Sequence, residues 1–190
     1  MKKFLMFLSV CLFSITAYAQ EDHLTFKGIS LDGPLDQFSS ELKSKGFSTV
    51  DSGADYAIFE GDFGGEDCTI TIFATPESKI VYQAVVKINE SSWATLKSTY
   101  NEYKTLLRSK YGKGESYEDF ESPYYEGDGY EMTAVRIGKC NYFTKYELTN
   151  GKIIVAITKI DKGSVLLYYT DSINDKIAKR EKANQKLNDL

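Results

Sequence analysis

Side chains able to do chemistry are few in this chain. There is one histidine, His23, so a serine or cysteine nucleophile with an imidazole base would have to be built around that single residue near the start. Four carboxylates, Glu60, Asp62, Glu66 and Asp67, crowd one stretch with Gly61, Gly64 and Gly65. Paired carboxylates hydrolyse glycosides, but acids among turn-forming glycines also describe an ordinary solvated turn. No phosphate-cradling glycine loop, nucleophile elbow or paired-histidine zinc helix occurs. No catalytic residue, metal ligand or cofactor is assigned.

Recognition is the better-supported chemistry. Residues 115–131, ESYEDFESPYYEGDGYE, hold seven acids, four tyrosines and no basic residue. Tyr117, Phe120, Tyr124, Tyr125 and Tyr130 are the candidate binding residues, because rings on a loop offer large contact area at low entropic cost. The alternative is that these rings fold back as a lid on the rest of the protein. Asp119, Glu121, Glu126 and Asp128 would offer oxygen to calcium, but their spacing fits no EF-hand loop. The segment is expected to be a long, exposed and partly mobile loop.

Residues 1–19 read as an export signal: Lys2 and Lys3, an apolar run, then Ala17 and Ala19 flanking Tyr18. The apolar run is too short to span a bilayer, and no later stretch is apolar enough. Loss of Lys2 and Lys3 would take the formal charge from −4 to −6. An acidic chain without a basic cluster disfavours nucleic acid and anionic lipid. The expected partner is therefore a protein or envelope component, met in the periplasm or outside the cell.

The elements that must carry these residues follow from periodicity. Leu35, Phe38 and Leu42 mark a helix started at Asp32-Gly33-Pro34 and stopped by Gly46. Strands follow at 56–63, 67–75 and 79–89. A second helix, capped by Ser91 or Ser92, puts Trp93, Leu96, Tyr100, Tyr103 and Leu107 on one stripe before Gly112. Further strands are expected at 131–138, 140–148, 152–160 and 164–171, then a C-terminal helix whose polar end frays.

Residues 68–88 and 140–160 align without a gap, sharing Cys68 with Cys140, Ala84 with Ala156, Lys87 with Lys159 and Ile88 with Ile160. Each copy follows a helix that ends in Ser-Lys and a glycine. The chain is thus expected to be α+β, in two tandem units of one helix plus a three- or four-stranded antiparallel meander. Residues 20–90 form the first unit and 91–190 the second, with the C-terminal helix. Matched cysteines in an oxidising compartment are expected to pair across the units, stabilising by roughly 4 kcal/mol. Two free thiols are the alternative.

The segment LTFKGISLDGPLDQFSSELKSKGF resembles the opening of a group of small exported bacterial proteins of unknown function. The doubled helix-plus-meander pattern is similar to the beta-lactamase inhibitor protein fold. That resemblance implies a non-enzymatic module whose two units present a concave, aromatic sheet to a protein. A carboxylate-based hydrolase of cell-wall or dietary glycan and a structural factor in envelope assembly remain as alternatives.

Overall fold

The computed structural model describes residues 22–188; the export-signal reading of residues 1–19 lies outside them. A two-residue hairpin, β1 (Thr25–Phe26) and β2 (Ile29–Ser30), comes first. Helix α1 (Leu35–Ser44) leads into β3 (Ser48–Ser52), β4 (Tyr56–Phe63), β5 (Glu66–Ala74) and β6 (Val81–Asn89). Helix α2 (Trp93–Tyr111) leads into β7 (Glu115–Phe120), a short helix α3 (Glu131–Ile137), β8 (Cys140–Leu148), β9 (Gly151–Thr158) and β10 (Ser164–Asp171). Helix α4 (Ser172–Asn188) closes the chain.

The eight longer strands form one antiparallel sheet in the order β3-β4-β5-β6-β10-β9-β8-β7. The sheet is continuous across its middle, where β6 pairs with β10 from Gln83↔Thr170 to Asn89↔Ser164. β3 and β7 are the two edges. Both are exposed along nearly their whole length. A bulge between Thr49 and Asp51 breaks the ladder of β3, and β7 carries Glu115, Glu118 and Asp119, so neither edge is a flat template for another strand.

Helices α1 and α2 cover one side of the sheet. Leu35, Phe38 and Leu42 of α1, and Leu96, Tyr100, Tyr103 and Leu107 of α2, are buried there. They meet alternate strand residues: Phe59, Ile70, Ile72, Val86, Ile88, Ile153, Val155 and Leu167. α2 starts where expected: the Ser92 hydroxyl accepts the Thr95 N–H at 3.2 Å and the Thr95 hydroxyl accepts the Ser92 N–H at 3.3 Å. Such a reciprocal cap contributes about 1 kcal/mol.

Several expectations need correction. Asp32 does not cap α1; Pro34 holds that position with no side-chain bond, and Asp32 instead accepts a hydrogen bond from the Asn174 side chain at 3.2 Å. Strand β3 had no signal in the sequence. The expected strand at 131–138 is α3, which buries the adjacent Ala134 and Val135 and ends at Gly138 in the left-handed conformation. Good helix formers at Glu131, Met132 and Ala134 decided its start.

The C-terminal helix does not fray through its second half. Buried Glu181 accepts the Glu77 N–H at 2.8 Å, the Ser78 N–H at 3.2 Å and the Ser78 hydroxyl at 2.6 Å. A polar sequence is thus docked by polar bonds. The segment after His23 is tied down as well: buried Asp171 accepts the Leu24 N–H at 2.9 Å while also capping α4 through the N–H groups of Ile173 and Asn174.

The cysteine pairing is also overturned. Cys68 lies on β5 and Cys140 on β8, with β6, β10 and β9 between them, and both are free thiols. Four strand spacings separate them by roughly 19 Å, whereas a disulfide needs Cα atoms within about 7 Å. The aligned copies 68–88 and 140–160 correspond to β5–β6 and β8–β9. β6 lies at the middle of the sheet, but β9 lies one strand away from it.

Candidate functional site

The other side of the sheet is built by the residues that alternate with the core positions, and they are mostly half-exposed. Strand register arranges them in rungs. One rung runs Ile58, Thr71, Val85, Tyr168, Ile154, Lys145, Glu115. The next runs Glu60, Thr69, Lys87, Leu166, Ala156, Phe143, Tyr117. Their middle is apolar: Val85, Tyr168, Ile154, Leu166, Ala156 and Phe143 sit side by side across four strands. Charged groups mark both ends, with Glu60 and Lys87 toward one edge and Lys145 and Glu115 toward the other. An apolar centre with a polar rim is the composition of a contact surface.

The candidate aromatics of residues 115–131 do not form one cluster. Tyr117 is on this open face, 49% exposed and stacked on Phe143 with ring centroids 4.8 Å apart. Its neighbour Phe120 points to the helix side, where it packs with Trp93 at 5.2 Å and Tyr142 at 5.4 Å. Trp93 also meets Tyr142 edge-on at 5.0 Å, so it belongs to the core periphery, as its place on the α2 stripe indicated. Tyr125 and Tyr130 are 65% and 63% exposed in the turn that follows β7. Tyr124 is half-buried beneath the Lys139 ammonium, 6.0 Å from the ring centre.

Residues 115–131 are not one long loop either. They comprise β7, a turn and the first residue of α3, and Asp128, Glu131 and Glu126 are each held by hydrogen bonds. Asp128 accepts the N–H groups of Tyr125 at 3.1 Å and Tyr130 at 2.7 Å. Glu131 accepts the Gly127 N–H at 2.8 Å. The Lys97 ammonium and the Tyr142 hydroxyl both bond Glu126 and hold its carboxyl below the usual range. Carboxylates satisfied in this way are poor candidates for calcium. Among the described residues, no group of three or more His, Cys, Asp or Glu is placed to share a metal ion.

A second polar cluster spans the helix side of the β7 edge. The Tyr100 hydroxyl shares a 2.6 Å hydrogen bond with that of Thr144 and donates to Glu118 at 2.9 Å. Lys104 pairs with the same carboxylate. Burial would raise the carboxyl of Glu118, but the bonds from Lys104 and Tyr100 outweigh it and hold the group below its ordinary range. The cluster ties α2 to β7 and β8.

The carboxylates weighed for hydrolysis are divided. Asp62 accepts the Gly65 N–H at 3.2 Å and closes the β4–β5 turn. Glu60 and Asp67 are exposed and border a shallow depression with Thr69, Lys87 and Asn89. His23 lies 3.1 Å from Asp171, but no serine or cysteine lines the depression beside it. A nucleophile–histidine–carboxylate arrangement is not assembled there. Comparison with known proteins finds no match to any family model, curated protein or solved structure.

Proposed function

We propose that this chain is an exported, non-enzymatic binding module that recognises a protein of the cell envelope through the open face of its sheet. The supporting observation is the pair of rungs centred on Tyr168, Ile154, Ala156 and Phe143, half-exposed apolar and aromatic groups on a rigid ladder around the buried Leu166. Tyr117 extends that patch to one edge. The turn with Tyr124, Tyr125 and Tyr130 follows β7 and is tied through Glu126 to Lys97 of α2 and to Tyr142. Contact residues on strands lose little freedom on binding, so burial of such a patch is retained as affinity.

The same reading treats the chain as two units, each of a helix and four strands, joined through β6 and β10. Export rests on the pattern of residues 1–19. The experiment is a comparison of immobilised wild-type protein with the double variant Phe143→Glu and Ile154→Glu on envelope extract. A discrete partner held by the wild type and lost by the variant supports the reading. Equal retention by both, with the variant folded, overturns it.

A further inference from the structure

A cavity of about 440 Å³ opens on the helix side, between the β1–β2 hairpin, the β4–β5 turn and the second half of α2. Its inner wall is a run of touching rings. Phe26 meets Tyr169 edge-on at 5.1 Å and stacks with Phe63 at 5.8 Å, and Phe63 stacks in turn with Tyr103 at 5.7 Å. The Tyr103 hydroxyl donates to the Phe63 carbonyl at 2.5 Å and fixes the wall. On the opposite side Leu106 is 54% exposed at the mouth.

Charge then narrows what fits. Lys27 and Lys110 are the charged side chains lining the cavity, and among the described residues no carboxylate does so. Neither lysine takes part in an ion pair among the described residues. Lys27 is held by its turn: Lys27 and Gly28 both have positive φ, 52° and 76°, the conformation of a two-residue type I′ hairpin. Its ammonium stands 5.3 Å from the Phe63 ring centre, and that of Lys110 stands 5.1 Å from Tyr111. In an acidic protein, two unpaired ammonium groups over an aromatic cavity complement an anionic head on an apolar body. A cation is repelled there, and a neutral apolar molecule gains nothing from the lysines.

We propose that this cavity binds a monoanionic amphiphile, an alkyl or aryl carboxylate, with its apolar body against Phe26, Phe63 and Tyr103 and its carboxylate between Lys27 and Lys110. The volume lies within the range of about 300–1,000 Å³ common to small-molecule sites. The cavity is on the opposite side of the sheet from the proposed protein-binding face, so the two readings stand or fall separately.

The test is calorimetric titration of the purified protein with dodecanoate below its micelle-forming concentration, beside dodecyltrimethylammonium. Dodecanoate is expected to bind with one-to-one stoichiometry and the cation not to bind. Lys110→Met and Lys27→Asn should each weaken dodecanoate by about fivefold, the worth of one exposed charge contact. Asparagine is chosen at position 27 because it tolerates positive φ. If the Lys27 variant is misfolded, exposed Lys110→Met decides alone. Absence of dodecanoate binding, equal binding of the cation, or an affinity unmoved in folded Lys110→Met overturns the proposal.

Discussion

Tyr117 lies nearly flat on Phe143, their ring planes 20° apart, and this pair joins the edge strand β7 to the apolar middle of the open face. The two residues are directly opposite in the β7–β8 register, so the stack follows from strand pairing. It contributes about 1 kcal/mol beyond burial. Tyr117→Ala is expected to cost about that much stability in urea denaturation while weakening partner binding more than tenfold, as truncation of an aromatic anchor does. A tenfold loss of binding from Tyr125→Ala alone, with Tyr117→Ala silent, would move the site to the turn.

Asp171 joins the end of β10 to the segment before β1 and to the start of α4. Asp171→Ala would strip an acceptor from the N–H groups of Leu24, Ile173 and Asn174. The expected loss is about 3 kcal/mol, from a helix cap together with a buried donor left unpaired. Asp171→Asn keeps one acceptor oxygen and should cost less. Urea midpoints of the two variants measure this, and a change below about 0.5 kcal/mol for the alanine variant would contradict the account.

Acid should loosen α4. At Glu181 burial raises the carboxyl, but the bonds from the Ser78 hydroxyl and the N–H groups of Glu77 and Ser78 outweigh it and hold the group below the ordinary carboxylate range. A lowered carboxyl stabilises the fold above the unfolded value and loses that contribution as pH falls through the folded one. Stability of the wild type should therefore decline below about pH 4.5, and less steeply in Glu181→Gln. At pH 7 the variant should be less stable by about 1 kcal/mol. Thermal melts from pH 7 to pH 3 read both, and parallel curves would contradict the assignment.

Both thiols should be free but slow. Burial pushes Cys68 up to about 11 and Cys140 up to about 12, and the thiolate is the reactive form. Unreduced, unfolded protein treated with iodoacetamide should carry label on both residues. Native protein at pH 8 should carry little. A peptide joining 68 to 140 would contradict the sheet order itself.

The sequence made long periodic elements plain and failed where context decides. α2, β4, β6, β8 and β10 are recognisable from their apolar spacing, and the Ser92 cap from its residue type. β3 was missed because STVDS is an edge strand with no buried residue, so no alternation marks it. α3 was misread because seven residues are too few for period to separate helix from strand. The repeat drew Cys68 and Cys140 together because any two hairpins of alternating residues align well, whatever their place in a sheet. Of the five candidate aromatics, Tyr117 reached the open face and Phe120 the opposite one, since successive residues of one strand face opposite ways and the two are an odd number of positions apart. An exposed sheet face was expected, but its residues were not: only strand register brings Ile154 and Tyr168 side by side on it.

The central claim is that the open sheet face meets a protein. It is tested most directly by placing a photo-activatable benzophenone side chain at position 154 in the producing cell, with a control at Thr105 on the exposed side of α2. The account predicts one discrete cross-linked protein from position 154, absent from the control and lost when Phe143→Glu is added. No adduct from position 154, or the same adducts from both positions, would contradict it.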